Sequence, residues 1–167
     1  VIYDNGNGMV ANGDLHQIYN NVFYKSGSTA CDPYFQTHFG TCYQFGLSQA
    51  GEGIRMFGGG QLIANNLAYN MGLGYYHAIG WSRTWLNNLC VSCGNLMVID
   101  PGPFDQEFPS TFIQNVTAPA SALVSPLTQN FQLNPGSSPI DAGVSNASAR
   151  FNTDANGVLR PQNGAWD

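Results

Sequence analysis

Charge is the first property that this sequence has little of. Only 9% of its 167 residues are charged, against roughly 25% in ordinary soluble domains. Five cationic residues stand against ten acidic ones, which gives a formal net charge of −5. Because the five cations are scattered along the chain, they cannot form the basic stripe that phosphates require. Nucleic acids and anionic membrane surfaces are therefore excluded as partners.

Long apolar runs are also missing. No window approaches the about 18 consecutive apolar residues of a membrane-spanning helix, and no signal peptide is recognisable at the start. Hydrophobic residues nevertheless make up 43% of the chain and aromatic residues 13%, which excludes disorder. Because the chain opens with Val1 inside repeat-like sequence, we expect a processed chain or a part of a longer protein.

The chain has four cysteines, Cys31, Cys42, Cys90 and Cys93. An even cysteine count with few lysines and many asparagines favours an oxidising, secreted or cell-surface setting. Of three pairings we favour Cys31–Cys42 and Cys90–Cys93, because each closes a local loop. Cys90-x-x-Cys93 also fits half of a redox or zinc motif, but no βαβ pattern surrounds it. Sequons at Asn115 and Asn146 are candidate glycosylation sites of a secreted glycoprotein.

A seven-residue pattern recurs four times, at 18–24, 63–69, 85–91 and 112–118. Its fourth position is always asparagine: Asn21, Asn66, Asn88 and Asn115. These asparagines follow one another at intervals of 45, 22 and 27. The repeat unit is therefore about 22 residues long, with a first gap of about two units and a small insertion in the last. Helical repeats need about 33 residues or more, so this period excludes them.

The repeated segments read as strands, because they are short, rich in β-branched and aromatic residues, and bounded by glycine and asparagine. Parallel strands normally need helical crossovers, for which the chain has no adequate window. Stacking each strand on its counterpart one unit later removes that need. The sequence thus predicts an all-β parallel solenoid with coils of about 22 residues. Asparagine tolerates left-handed corners, and the stacked asparagines are expected to form an amide ladder.

The chain divides into two parts of one domain. Residues 1–118 carry the coils, and the stretch with Cys31 and Cys42 at about 25–50 is an inserted loop or a degenerate coil. Residues 119–167 are rich in proline and lack the asparagine pair. The end of a solenoid exposes unpaired strand edges that must be covered. We therefore expect this extension to cap the solenoid or to pack against its side.

The asparagine-pair coils and the tail resemble right-handed parallel β-helix proteins of the pectate-lyase-like superfamily. The tail motifs are Asn-Pro-Gly-Ser-Ser-Pro-Ile-Asp-Ala-Gly at 134–143, Arg-Pro at 160–161 and Gly-Ala-Trp-Asp at 164–167. The resemblance covers nearly the whole chain and implies a right-handed parallel β-helix. It is less specific for activity, because the superfamily contains lyases, glycoside hydrolases, epimerases and non-catalytic surface proteins.

The resemblance implies candidate chemistry. A lyase of this type removes the proton alpha to a uronate carboxylate, using a base and a cationic group, frequently calcium. Arg55 and His77 are one period apart in the chain, which predicts the same angular position on neighbouring coils. Lys25 and Arg83 are further catalytic candidates. The alternative is that Arg55 and His77 are ordinary strand residues that face solvent.

Aromatic and acidic residues suggest two further sites. Tyr75, Tyr76 and Trp81 crowd one coil and suit stacking on sugar faces, although such rings also serve as core or inter-coil contacts. Asp100, Asp105 and Glu107 cluster in an insertion, either as a Ca²⁺ site or as a solvated acidic loop. Solvation is the default interpretation, so no metal ligands are assigned, and Ca²⁺ is the one candidate cofactor.

Two functions from different classes fit these observations. The first is a secreted carbohydrate-active β-helix that acts on or binds an extracellular acidic polysaccharide, by uronate elimination if it is catalytic. The second is a non-catalytic structural, adhesive or filament-forming solenoid that self-associates through its ends or edges. The family resemblance favours the first. Low charge, amide ladders and few catalytic candidates favour the second.

Overall fold

The computed structural model describes residues 2–3, 7–24, 52–99 and 107–144. The strands in these ranges are β1 (Ile2–Tyr3), β2 (Asn7–Asn12), β3 (Gln17–Tyr19), β4 (Val22–Tyr24), β5 (Glu52–Gly59), β6 (Leu62–Ala64), β7 (Leu67–Tyr69), β8 (Leu73–Trp81), β9 (Thr84–Leu86), β10 (Leu89–Val91), β11 (Asn95–Ile99), β12 (Thr111–Ile113), β13 (Val116–Ala118), β14 (Leu123–Ser125) and β15 (Asn130–Leu133). Short 3₁₀ turns cover Ala120–Ala122 and Pro126–Thr128. Lys25, the predicted Cys31–Cys42 loop, the Asn146 sequon and the tail motifs after residue 144 lie outside the described residues.

Thirteen of these strands form three stacked parallel sheets. Sheet 1 has the order β2-β5-β8-β11, sheet 2 has β3-β6-β9-β12, and sheet 3 has β1-β4-β7-β10-β13. The chain visits the sheets in this order four times, in units spanning 7–24, 52–69, 73–91 and 95–118. Every strand pairs in parallel with its counterpart from the neighbouring unit. This arrangement is compatible with the predicted parallel β-helix.

The register of sheets 2 and 3 follows the spacing of the asparagines. Leu67 pairs with Leu89, an offset of 89 − 67 = 22, and Val22 pairs with Leu67, an offset of 67 − 22 = 45. Leu89 pairs with Val116, an offset of 116 − 89 = 27. Each corner between these sheets begins with a residue in the left-handed region, at Asn20, Asn65, Asn87 and Gln114, with φ between 47° and 55°. Asparagine adopts this conformation more readily than most residues, which explains its recurrence.

The core lies between the three sheets, where inward side chains form columns along the stack. The inward columns are Ile18, Ile63 and Trp85 in sheet 2, Phe23, Ala68 and Cys90 in sheet 3, and Ile54 with Tyr75 in sheet 1. Alternation along each strand turns these side chains inward. Burying a large apolar side chain contributes about 1.5–3 kcal/mol, so the columns hold successive units together.

The segment after β13 packs against the side of the stack. Strands β14 and β15 form an antiparallel pair whose Leu123, Phe131 and Leu133 join an apolar cluster on the outer face of sheet 3. The ring of Phe131 lies 5.6 Å from the ring of Tyr24 and 6.1 Å from that of Tyr69. The described part of the extension thus reaches from the last unit back to the first. Within the described ranges, no helix is long and apolar enough to cross a membrane.

Candidate functional site

The asparagine column at the corner between sheets 2 and 3 forms a continuous hydrogen-bonded ladder. Asn21 Nδ2 donates to Asn66 Oδ1 at 3.1 Å, Asn66 Nδ2 to Asn88 Oδ1 at 2.9 Å, and Asn88 Nδ2 to Asn115 Oδ1 at 2.7 Å. The backbone N–H groups of the first three donate to the same oxygens. The predicted amide ladder is confirmed.

Three of the four carboxamides in this ladder, those of Asn66, Asn88 and Asn115, also bond the backbone of the preceding unit. Asn66 Nδ2 donates to Ile18 O at 3.0 Å, and Asn88 Nδ2 donates to Ile63 O at 2.9 Å. Asn66 and Asn88 are almost fully buried, and a buried polar group left without a partner costs about 1–3 kcal/mol. These bonds therefore tie each unit to the next.

The long strands of sheet 1 do not keep the same offset. Ile54 pairs with Tyr75, an offset of 75 − 54 = 21, whereas Gly58 pairs with Gly80, an offset of 80 − 58 = 22. A β-bulge causes the change, because Ala78 and Ile79 together oppose the single residue between Met56 and Gly58. At the start of this strand pair, residues therefore pair at an offset one shorter than the 22 residues that separate Asn66 from Asn88 at the corner.

This shift overturns the predicted stacking of Arg55 and His77. Arg55 pairs with Tyr76, and His77 pairs with Met56. A slip of one residue moves a side chain to the opposite face of a sheet, so Arg55 points outward while His77 is fully buried. The two residues do not form a joint site on one surface.

His77 instead belongs to an aromatic cluster inside the stack. Trp85 Nε1 donates a hydrogen bond to His77 Nδ1 at 3.0 Å, which assigns the ring proton to Nε2 in the neutral form. The ring of Phe112 lies 5.5 Å from the His77 ring. The Nδ1 lone pair is thus already used in holding the indole of the same unit.

Arg83 is buried at the corner between sheets 1 and 2, where its guanidinium group bonds the backbone at the bulge. It donates to Ala78 O at 2.6 Å, to Ile79 O at 3.0 Å and to Gly58 O at 2.6 Å. A Cβ atom at Gly80 would collide with this group, so glycine is required there. Because a bulge disrupts the regular ladder, Arg83 stabilises the carbonyls that surround it.

Gln61 is the counterpart of Arg83 in the preceding unit, 22 residues earlier, and is equally buried. Its Oε1 accepts from Arg83 Nε at 2.6 Å, and its Nε2 donates to Gly13 O and Phe57 O. The two side chains connect three units of the stack. Gln61 was not among the predicted residues, although its position one period before Arg83 was a signal in the sequence.

Tyr75 is a core residue. Its hydroxyl lies 2.8 Å from Asn66 O and 2.9 Å from Leu89 O, and its ring packs 5.9 Å from that of Trp85. Burial raises the pKa of the Tyr75 phenol well above its usual value, and only the hydrogen bond with the Ala68 backbone opposes that shift. The ring is therefore not accessible for the predicted stacking on a sugar.

The outer face of sheet 1 carries a compact polar group around Arg55. Its guanidinium group binds both carboxylate oxygens of Glu52 at 2.5 and 2.6 Å and lies 4.7 Å from the centre of the Tyr76 ring. Tyr76 is only 2% exposed, whereas the Arg55 side chain keeps 19% of its surface exposed. Of these two predicted site residues, only Arg55 presents chemistry to solvent.

Trp81 retains part of its surface. It is half-buried, pairs with Gly59 and lies across that residue, where a Cβ atom would collide with the indole ring. Of the three aromatic residues predicted to bind sugar, Trp81 is the most accessible, and it lies at the opposite end of β8 from Tyr75.

The disulfide between Cys90 and Cys93 is present, with Cα atoms 5.8 Å apart. It closes the corner after β10, as predicted. Asn115, the described sequon residue, is half-buried, and its Nδ2 donates to Trp85 O at 2.8 Å. Because a glycan is attached through this nitrogen, the ladder competes with glycosylation at this position.

Acidic residues do not assemble into a metal site in the part of the chain that the structure describes, where no three His, Cys, Asp or Glu side chains come together. Glu107 is exposed, whereas Asp100 and Asp105 lie outside the described residues. Calcium binding by this cluster stays a prediction.

Comparisons with known protein families, curated proteins and solved structures found no match. No protein-family model matches the chain, and no curated protein or solved structure is significantly similar to it.

Proposed function

We propose that this chain is part of a right-handed parallel β-helix of the pectate-lyase-like type, with coils of about 22 residues, and that its described units act as an extracellular structural solenoid. The stacked parallel sheets, the asparagine ladder and the tail motifs support the fold. The Cys90–Cys93 disulfide supports an oxidising, extracellular location.

One observation carries the structural role. His77, Arg83 and Tyr75, three residues with the chemistry that the sequence suggested for a site, all lie inside the stack and bond to backbone or core groups. A catalytic residue must reach its substrate within hydrogen-bond distance. In this arrangement the same groups stabilise the contact between units.

The proposal is tested by offering the chain pectate and alginate and following the absorbance of unsaturated uronate. We expect no increase above the uncatalysed rate. Turnover that disappears in Arg55→Ala but persists in Glu107→Gln would refute the structural role, because Arg55 is a predicted catalytic residue that keeps exposed surface. His77→Ala is unsuitable for this test, since removing a buried ring perturbs the fold.

A second candidate function, binding of an acidic polysaccharide without turnover, is favoured by the exposed edge of Arg55. A guanidinium group held over a tyrosine ring suits a uronate carboxylate. Glu52 occupies the position that such a carboxylate would take. Replacing Glu52 by glutamine is therefore expected to strengthen binding, and Arg55→Ala to abolish it.

Binding to pectate is measured by calorimetry, with Glu107→Gln as the control that removes the same charge from an exposed site elsewhere. Equal affinities of Glu52→Gln and Glu107→Gln would exclude a site at Arg55. Self-association through the ends or edges of the solenoid stays a separate prediction, tested by light scattering over a range of protein concentrations.

The proposed compartment has its own test. Intact mass before and after reduction and alkylation is expected to correspond to two disulfides, Cys90–Cys93 and the predicted Cys31–Cys42. Free thiols in the non-reduced protein, or a stoichiometric amount of zinc, would contradict the extracellular location.

A further inference from the structure

The last unit of the described stack ends in three strand edges that carry no further strand. Strands β11, β12 and β13 are each the last in their sheet, and we call this surface the open end. After β13, strands β14 and β15 run along the outer face of sheet 3 towards the first unit and not over these edges. The backbone groups on the edges are therefore available to another strand.

The core column of sheet 2 is left uncovered at the open end. Ile63 and Trp85 are fully buried, whereas Phe112, the next residue of the same inward column, is 39% exposed. In sheet 1, Ile99 follows the inward His77 and is 48% exposed. Apolar side chains of the last unit therefore lie where a further level would bury them and gain stability.

The backbone of Phe112 presents a donor and an acceptor on the same edge. Thr111 N donates to Arg83 O at 2.7 Å, and Asn87 N donates to Ile113 O at 3.0 Å. Both neighbours of Phe112 thus bond to the preceding unit. Successive residues of a strand direct their N–H and C=O groups to alternate edges, so those of Phe112 point out of the open end.

The strands at the open end lack the features that usually keep such edges apart. Their sequences, Asn-Leu-Met-Val-Ile in β11, Thr-Phe-Ile in β12 and Val-Thr-Ala in β13, contain no charged residue and no proline. Natural edge strands are commonly blocked by lysine, by proline or by a bulge. Because these strands carry no charge, they do not repel a second copy of the same strands.

We propose that two copies of the chain associate through the open end as a two-fold dimer, in which β12 pairs antiparallel with β12 of the partner subunit. Two directly opposed residues of an antiparallel pair exchange both N–H···O bonds. A two-fold axis at Phe112 meets this requirement, because the residue offers one donor and one acceptor to its own copy. The same axis brings the two Phe112 rings together, so the inward column continues across the contact.

A head-to-tail contact fits the described strands less well. At the other end of sheet 3, Ile2 and Tyr3 of β1 already pair with Phe23 and Tyr24 of β4. A second copy that continued this sheet in the same direction would have to displace β1 from that edge. A closed two-fold dimer, the commonest form of homo-oligomer, needs the open end alone.

The dimer rests on the structural role proposed above and names its partner, and the two proposals fail separately. Uronate turnover that depends on Arg55 would refute the structural role. The dimer is tested by sedimentation equilibrium of the full chain over a range of concentrations. We expect the wild type to reach twice the mass of one chain and no more.

Phe112→Glu places two like charges against each other in the contact and is expected to raise the dissociation constant about tenfold or more. Val124→Glu is the matched control, because Val124 is similarly exposed, at 45%, and lies on β14 outside the open end. We expect the control to leave the dissociation constant unchanged. Equal constants for the two variants would overturn the proposal.

The wild-type masses alone can also overturn it. A chain that stays monomeric at every concentration would exclude the dimer. Species that keep growing with concentration would exclude a closed contact, because heterologous contacts that do not close give open assemblies.

Amide hydrogen exchange of the wild type, followed by NMR, does not depend on whether the variants fold. The Phe112 amide is expected to be protected in the dimer and to exchange faster on dilution to the monomer. The Thr111 amide, which bonds to Arg83 O within the chain, is expected to change less. Equal exchange of the Phe112 amide in dimer and monomer would refute the pairing of β12 with its copy.

Discussion

The asparagine corner and the long strands of sheet 1 belong to the same units, yet they follow the sequence period differently. At the corner, Asn66 and Asn88 are one period apart and bond directly. In sheet 1, Arg55 and His77 are also one period apart and face opposite sides. The spacing measured at the asparagine corner therefore predicts which residues pair in another sheet only where no bulge lies between the corner and those residues.

The two regions also use their polar groups differently. The ladder needs one identical residue at each level, since every carboxamide donates to the next. At the bulge, the same spacing places Gln61 against Arg83, and the larger guanidinium group satisfies carbonyls that a regular strand pair would not leave there. Four substitutions, taken from the largest expected effect to the smallest, test this contrast.

Asn88→Ala breaks the ladder at a fully buried level and is expected to have the largest effect. It removes the acceptor of Asn66 N–H and of one Asn66 Nδ2 hydrogen, together with the side-chain donor to Ile63 O and Asn115 Oδ1. We expect the free energy of unfolding, measured with urea, to fall by about 3 kcal/mol or more. Asn21→Ala, at the half-buried end of the ladder, is the control with an expected loss of about 1 kcal/mol. Equal losses would show that the ladder is not a continuous network.

Arg83→Lys tests the bulge. An ammonium group cannot reach the carbonyls of Ala78, Ile79 and Gly58 with the fork of a guanidinium group. We expect a loss of about 2–3 kcal/mol in the same denaturation experiment. A loss below about 1 kcal/mol would mean that the carbonyls at the bulge find other partners.

Tyr75→Phe tests the burial of the Tyr75 phenol through the pH dependence of stability. Because the folded pKa of Tyr75 is raised above its unfolded value of 10.0, its contribution is fully present below about pH 10. It is lost as the pH rises towards the folded pKa. The wild type is therefore expected to lose stability between about pH 9 and 11 more steeply than Tyr75→Phe, as measured by urea midpoints. At pH 7 the variant is expected to lose about 1 kcal/mol, and parallel pH profiles would contradict a buried phenol.

Arg55→Lys is expected to have the smallest effect. The ion pair with Glu52 lies partly buried on the outer face of sheet 1, and lysine keeps its positive charge, so we expect a loss below about 1 kcal/mol. The same substitution at Arg83 provides the buried reference. Equal losses of stability in Arg55→Lys and Arg83→Lys would contradict the distinction between an arginine on the outer face and one in the interior.

Much of the fold was readable from the chain. Short strands around Asn20–Asn21 and its three repeats predicted parallel stacking, and the ladder, the left-handed corners and the Cys90–Cys93 disulfide are confirmed. These features are local or repeat at a fixed interval, so their spacing alone places them.

The candidate site was less predictable. Arg55 and Glu52 are close in the chain, and nothing in the pattern indicated that they pair. Tyr75 and Tyr76 are adjacent and equally suited to sugar stacking by composition, yet one bonds inside the stack and the other lies beneath a guanidinium group. Which face a strand residue occupies depends on register, and register is set by the partner strand.

The sequence by itself determined the stacking interval and the residue that marks it, because asparagine combines a tolerated left-handed corner with a carboxamide that donates and accepts at once. The tertiary structure alone decided which charged and aromatic residues are outside. One extra residue at Ala78–Ile79 reverses the sides of Arg55 and His77 relative to the period. A bulge is a property of two paired strands, so its position appears only when the strands are placed side by side.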